Sequence, residues 1–494
     1  MKKKLLLISA VAVFALAGCD TNTGSNTSGN VSVSSNVTTN NDKTNEENEK
    51  LKEENATLKQ ELEAIKASSD AATAKNAELE AENKKIKEEL ENCVDEIVDL
   101  KEQNDEIKRI KENYLKSNNL FEVSFINYLG ESKTKIFNVN DYSTVLKALN
   151  EVANVNSSSF TYGTYISSID NSFSDPNWGI MFYENYDAAA TGIDGLEINA
   201  GDVFEFKHEC WNTTKTENGT LDRYDVLVDK ALYYYANNRL KNTYNEKNTY
   251  EGSTYWEDMA LYKLINAEGQ YGALYDQTLF SSNLLNDTLK TTISNKNIEE
   301  LSGTDLFKFY YSARLTNYDF TSFKTKYSSY VESFTEYGEW DEYKIPFVTS
   351  SAKTLGLIDK LSDNVKNTTY KPDYSQWGPD GISWQLTGMA SYKTLTDTEL
   401  STLSFDLLDK ALSKDVSLSS MILPYAASNK NIRELKDKEG VDVIESLFNN
   451  YFDLTTMKFD TEASTSDYSS NQIYAALVAY KVQRDTNKAC NLFE

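Results

Sequence analysis

The stretch "WGIMFYEN", Trp178 to Asn185, decides how the folded part of this chain is built. As a strand it sends Trp178, Ile180 and Phe182 to one side and Gly179, Met181 and Tyr183 to the other, because successive side chains alternate. Both sides are then mostly apolar, whereas the sheet of a small domain usually hides one face and wets the other. The second face needs a cover of its own.

The same period of two recurs around this stretch. "FEVSFIN" places Phe121, Val123 and Phe125 on one face, and "KIFNVN" follows a turn at Gly130. "YGTYISSID" and "GDVFEFKHE" supply two further strands. "DYSTVLKALNEVAN" carries Val145, Leu146, Leu149 and Val152 at helical spacing, with Asp141 or Ser143 to cap it. The order β-β-α-β-β-β predicts one mixed sheet with one helix, a small α+β roll of β-grasp type over residues 119–212. One helix covers one face, so a neighbouring domain or a flat ligand is expected on the other. His208 alternates with Phe204 and Phe206, which reads as a packed core histidine, with a metal or cobalt ligand as the competing reading. Cys210 shares that face, and a bridge from it to Cys490 is geometrically possible.

Bulk properties exclude several functions. The chain has 494 residues and a formal charge of −26, which argues against nucleic acid and anionic lipid surfaces as partners. Its single histidine rules out His-based metal clusters, and its four cysteines contain no C-x-x-C pair. Hydrophobic residues make up 40% and aromatics 12%, enough for sizeable cores, and the length calls for more than one domain.

Upstream, "MKKKLLLISAVAVFALAGCD" has a basic start, an apolar core and small residues before a cysteine, which predicts a signal peptide over 1–18. "LAGC" resembles the bacterial lipoprotein box. The resemblance implies cleavage before Cys19, lipidation of its thiol, and tethering to the outer face of the cell membrane. Residues 19–48, rich in Ser, Thr and Asn, read as a disordered linker. From 49 to 117 a heptad repeat runs through Leu51, Leu58, Leu62, Ile65, Leu90 and Ile97 without Gly or Pro, with Asn55, Asn76, Asn83 and Asn104 at a positions. This predicts a coiled-coil stalk of about 95 Å forming a parallel homodimer; the competing reading is a single solvated helix. Cys93 occupies a d position, where an interchain disulfide and a free thiol filling the seam both stand open.

Downstream, residues 220–494 lose the strand signal and show paired helical segments. Ala352, Ala390 and Ala426 mark cores some 35–40 residues apart, as helical hairpins do. "TELSTLSFDLLDKALSK" reads as one of these helices, and "TDTE" (Thr396–Glu399) as its capping box. Pro346, Pro372, Pro379 and Pro424 are expected at helix starts and in turns, and Trp377 and Trp384 in a Gly/Pro-bearing loop.

Two resemblances rest on these stretches. "STVLKAL", "YGTYISSID", "WGIMFYEN" and "GLEINAGDVFEFKHE" resemble the C-terminal domain of transcobalamin and intrinsic factor, and a related bacterial surface domain of unassigned function. "QWGPDGISWQLTGMASY" with "SSNQIYAALVAYKV" is similar to the α/α toroid of terpenoid cyclases, prenyltransferases and the transcobalamin N-terminal domain. Together they imply a multidomain protein: coiled coil, β-grasp domain, toroid. They imply a non-catalytic binder holding cobalamin, another corrinoid, or some other flat ligand between the two domains. Tyr165, Trp178, Phe182, Tyr183, Trp377 and Trp384 would then stack on the ligand, while Asn185 and Gln385 orient it. The acid motif of squalene cyclases and the zinc set of prenyltransferases are missing from this sequence. An adhesive or structural surface protein meeting glycan or protein is the alternative, and a toroidal glycan-active enzyme the third.

Overall fold

A computed structural model describes residues 41–170, 172–173, 177–211, 221–240, 255–266, 289–335, 343–367, 378–459 and 467–494. The signal peptide, Cys19, most of the linker and Trp377 lie outside them. The chain divides into two units, up to Asn104 and from Asp105 onward.

The heptad region forms one helix, α1 (Asn41–Ser117), uninterrupted because no Gly or Pro breaks it. It begins eight residues before the expected stalk, so residues 41–48 are helix and not linker. Pairs such as Lys52–Glu49 and Arg109–Glu106 support its surface. Its seam residues Leu51, Leu58, Leu62 and Ile97 are exposed in the single chain. No helix among the described residues is long and apolar enough to cross a membrane.

In the second unit, strands β1 (Leu120–Ile126), β2 (Ser132–Asn138), β6 (Trp178–Glu184), β7 (Asp187–Ala188) and β8 (Val203–Cys210) form a mixed sheet in the order β2-β1-β8-β6-β7. β1 and β8 run parallel at its centre and the other pairs are antiparallel. "YGTYISSID" is not part of this sheet. It is β4 (Gly163–Ile169), paired with β3 (Val155–Phe160) and β5 (Ser172–Phe173) in a second, three-stranded sheet. β3, "VNSSSF", has no apolar alternation to announce it and is almost wholly exposed. Helix α2 (Val145–Val152) is capped by Thr144, whose hydroxyl accepts from the Lys147 N–H, and not by Asp141 or Ser143.

The register explains why both sides of β6 look apolar. Ile180 pairs with His208 and Phe182 with Phe206, so Phe121, Phe125, Phe204, Phe206, His208 and Trp178 share one face. That face is long enough for two covers. α2, with Ile166 and Ile169 of β4, closes over the phenylalanines, whereas Trp178 joins the core of the helical region. The opposite face is polar rather than apolar: Glu122, Ser124, Glu205, Lys207 and Glu209 accompany Gly179, Met181 and Tyr183. Neither the helical region nor a flat ligand is needed to seal it. The last turns of α1 cover part of it, where Lys111 pairs with Glu122 at 2.7 Å and Leu115 is fully buried. Tyr183 donates to Glu209 (2.6 Å) beneath Lys207, and Met181 is 38% exposed.

The remaining chain is helical. Among the described residues, α4 (Tyr255–Ile265), α5 (Thr304–Arg314), α7 (Ile345–Thr354), α8 (Asp380–Met389), α9 (Lys414–Ala427) and α11 (Asp467–Thr486) each pack on the next, and α11 packs back on α4. The cycle is closed. α3 (Arg223–Tyr235), α6 (Thr321–Ser333) and α10 (Val443–Tyr451) pack outside it, against α11, α7 and α9 respectively. Gly388 permits the tight crossing of α8 over α7, since a Cβ there would stand 2.1 Å from Ile345 Cγ2. Pro346 starts α7, and Thr396–Glu399 forms the capping box of the short helical turn Asp397–Leu400. "TELSTLSFDLLDKALSK" is no long helix, however: it is one α-turn (Asp397–Leu400) followed by a 3-10 segment (Phe405–Lys410). Pro424 lies inside α9, where the lost N–H costs a single helical bond near the C-terminal end.

The sheet meets the ring through buried charge. Trp178 Nε1 donates to Asp229 of α3 (2.9 Å), and Asn177 donates to Asp485 of α11 (3.0 Å). Lys481 bridges Asp229 (2.8 Å) and Asp485 (3.0 Å), while Arg484 holds Asp229 and Asp485 at 2.7 Å each. Tyr480 donates to Asp225 (2.6 Å). His208 sits beside them, with the Trp178, Tyr233 and Tyr128 rings 5.3–6.0 Å away. It is a core residue. Cys490 is an unbonded, buried thiol whose N–H donates to Ala426 O, so the bridge to Cys210 is not formed.

Candidate functional site

The ring helices are parallel, and two sets of contacts say so. At one end the segment Cys490–Glu494 plugs the helix C-termini. Asn491 Nδ2 donates to Ser391 Oγ (3.1 Å) and Ser350 Oγ (3.3 Å), and Lys353 pairs with Glu494 (2.9 Å). Arg314 reaches the Glu494 carbonyl. Phe493 enters the centre of the ring, against Phe347 (4.8 Å), Trp256 (5.8 Å) and Trp384 (6.1 Å).

At the other end the first turns of the same six helices surround a cavity of about 420 Å³. Tyr255 opens α4 and Lys344 caps α7; Lys308 lies in the second turn of α5. Asp380 opens α8, Val416 stands in the first turn of α9, and Gln472 lies near the start of α11. The floor is aromatic: Trp384 meets Tyr343 (5.4 Å), Trp256 (5.5 Å) and Phe347 (5.7 Å), and Phe347 stacks on Phe307 (4.6 Å).

Charged groups of both signs line this mouth. Aligned helix N-termini carry partial positive charge, and Lys308 and Lys344 line the same mouth. The Asp380 carboxylate accepts from Ser417 and Ser420 of α9 at 2.6 Å each. Burial pushes its carboxyl above the usual range, the serine bonds oppose this, and nearby Asp415 reinforces it. Gln472 Nε2 donates to Ser420 (3.2 Å) and ties α11 to the same group. The Trp384 indole N–H is buried, lines the cavity, and finds no acceptor among the described residues. Groups of three or more acidic, His or Cys side chains able to hold a metal ion are absent among the described residues.

The expected site residues divide between two places. Trp384 lies at the ring mouth, inside α8 rather than in a loop. Gln385 follows it on α8, fully buried, and neither of its amide atoms finds a partner among the described residues. Trp178 is sealed in the contact between sheet and ring. Phe182 packs on Phe206 (5.2 Å), and Tyr183 bonds Glu209, which pushes its hydroxyl pKa up to about 12. Asn185, at a left-handed φ of 52°, accepts the Val203 N–H and donates to Asp202, closing a turn. Tyr165 stands exposed on β4. None of these sheet residues lines the cavity at the mouth.

A family described as "Domain of unknown function (DUF4430)" matches residues 143–209, from just before α2 through most of β8. No curated protein matches the chain, and no solved structure does.

Proposed function

We propose that the chain is an exported, lipid-anchored binding protein that holds a small anionic molecule in the ring mouth without changing it chemically. The observation that carries this reading is the sign of the cavity. In a protein of charge −26, Lys308 and Lys344 stand where six helix N-termini converge. An anion there meets the positive ends of those helix dipoles and the Lys308 ammonium. The aromatic floor around Trp384 suits a flat body attached to that anion, and the indole N–H awaits an acceptor. Binding without turnover fits a mouth whose acid, Asp380, is already engaged by two serines and which has no histidine nearby.

The closed cycle of helices is best read as an α/α toroid, and the β2-β1-β8-β6 order as a β-grasp roll. The matched domain is one found in transcobalamin-like, cobalamin-binding proteins, which keeps a corrinoid among the ligands to test. Against it, a cavity of about 420 Å³ is drug-sized, and His208 is walled in by aromatic rings. Equilibrium dialysis of the intact chain against cyanocobalamin and dicyanocobinamide, beside native mass spectrometry of the protein as purified, tests the reading. We expect a bound acid of a few hundred daltons and no retained corrinoid. Absence of any bound acid, or corrinoid retention that Trp384→Ala leaves unchanged, contradicts it.

Anchoring falls to Cys19, and the heptad seam of α1 is assigned to a second copy in parallel. Under oxidising conditions Cys93 then links the two copies. A dimer band that dithiothreitol removes and Cys93→Ser abolishes is expected on gels; a monomer under both conditions excludes the linked pair.

A further inference from the structure

The β3–β4 hairpin presents a surface that the ring site does not use. From Val155 to Ser168 the chain reads VNSSSFTYGTYISS, with no charged side chain in a protein whose residues are 26% charged. Ser158 pairs with Tyr165 and Phe160 with Gly163, which sets Ser158, Phe160 and Tyr165 on one face. Phe160 is 50% exposed, Tyr165 52% and Tyr162, at the turn, 89%. The Phe160 and Tyr162 rings lie 5.6 Å apart and within 5° of parallel. The hairpin is held from behind. Ile166 and Ile169 are buried in the α2 core, and the Thr164 N–H donates to Asp194 (2.5 Å).

We propose that this hairpin is a docking platform for a neutral polysaccharide. Pyranose rings offer apolar C–H faces that lie flat on aromatic rings, and the exposed Ser157, Ser158, Ser159 and Thr161 hydroxyls match the sugar hydroxyls around them. Nucleic acid and anionic lipid require cations that the hairpin lacks. A protein interface concentrates its rings in an apolar core, whereas these rings stand among solvated hydroxyls. The platform is independent of the ring mouth and of whatever fills it.

Affinity electrophoresis of the intact chain, in gels cast with laminarin, xyloglucan or mannan and with polygalacturonate as the anionic comparison, tests the assignment. At least one neutral polymer should retard the protein. Tyr162→Ala should weaken that retardation about tenfold, about 1.4 kcal/mol, and Phe160→Ala/Tyr162→Ala/Tyr165→Ala should abolish it, while Tyr162→Phe keeps most of it. The melting temperature should not move, since the three rings are at the surface. Retardation by polygalacturonate alone, none by any neutral polymer, or undiminished retardation of the triple variant would overturn the proposal. So would a purified protein partner whose capture needs the three rings while no neutral polymer binds.

Discussion

Asp229→Ala is expected to destabilise the folded chain by about 3 kcal/mol, because it leaves two buried cations, Lys481 and Arg484, sharing the single carboxylate of Asp485. Lys481 and Asp229 are fully buried, and Arg484 is nearly so. The same carboxylate accepts the Trp178 indole N–H, so its loss also unpins the sheet from the ring. A surface pair would be worth at most about 1 kcal/mol; burial makes the difference. Chemical denaturation should show the lower midpoint, and limited proteolysis should release the sheet domain. Asp229→Asn keeps the Trp178 bond and should lose less.

The cluster also sets a pH dependence. Burial alone would raise the Asp485 carboxyl, but Lys481 and Arg484 outweigh it and hold it below the usual range. A folded-state pKa depressed in this way contributes stability that is present above the usual carboxylate range and fades as pH falls through the folded value. Asp222 behaves alike: burial opposes, while backbone N–H groups and Arg433 prevail. Acid should therefore loosen the sheet from the ring.

The second large effect is expected at Phe493. Its ring fills the axis of the helical cycle, and its carbonyl accepts the Tyr311 hydroxyl (2.8 Å). Phe493→Ala leaves a void between Trp256, Phe347 and Trp384 and should cost about 3–5 kcal/mol. Since Trp384 then loses its support, ligand affinity at the mouth should fall with stability. Intrinsic fluorescence reads both. Phe493→Leu, which refills most of the void, should recover much of each loss.

Local chemistry made part of this fold legible and left its long-range pairings hidden. The heptad of α1, the strands carrying Phe121, Trp178 and Phe204, and the Thr396–Glu399 box are short-range patterns, and each appears as an element. β3 escaped because Ser157–Ser159 have no apolar alternation; it is held by pairing with β4. The two-sided look of "WGIMFYEN" misled because its partner strands supply Glu205, Lys207 and Glu209, which makes the Met181 side polar. Register decides that, and register is not written in one strand. Trp384 and Gln385 were found by type, but Trp384, expected in a loop, stands in a helix.

The contact between sheet and ring did leave a signal. Asp225 and Asp229 stand four apart on the apolar helix α3, and Lys481, Arg484 and Asp485 cluster on α11; acids and bases in such company imply each other. Lys344 likewise sits at a helix start, with Lys308 one turn into its own helix, against the dipole. That mismatch was readable before any coordinates.

The proposed seat of the ligand is the ring mouth and not the sheet. Native mass spectrometry of the intact chain should show the bound acid in the wild type and in Tyr183→Ala, and none in Lys308→Glu/Lys344→Glu. A ligand that survives the double charge reversal but leaves with Tyr183→Ala would place the site on the sheet and contradict the account.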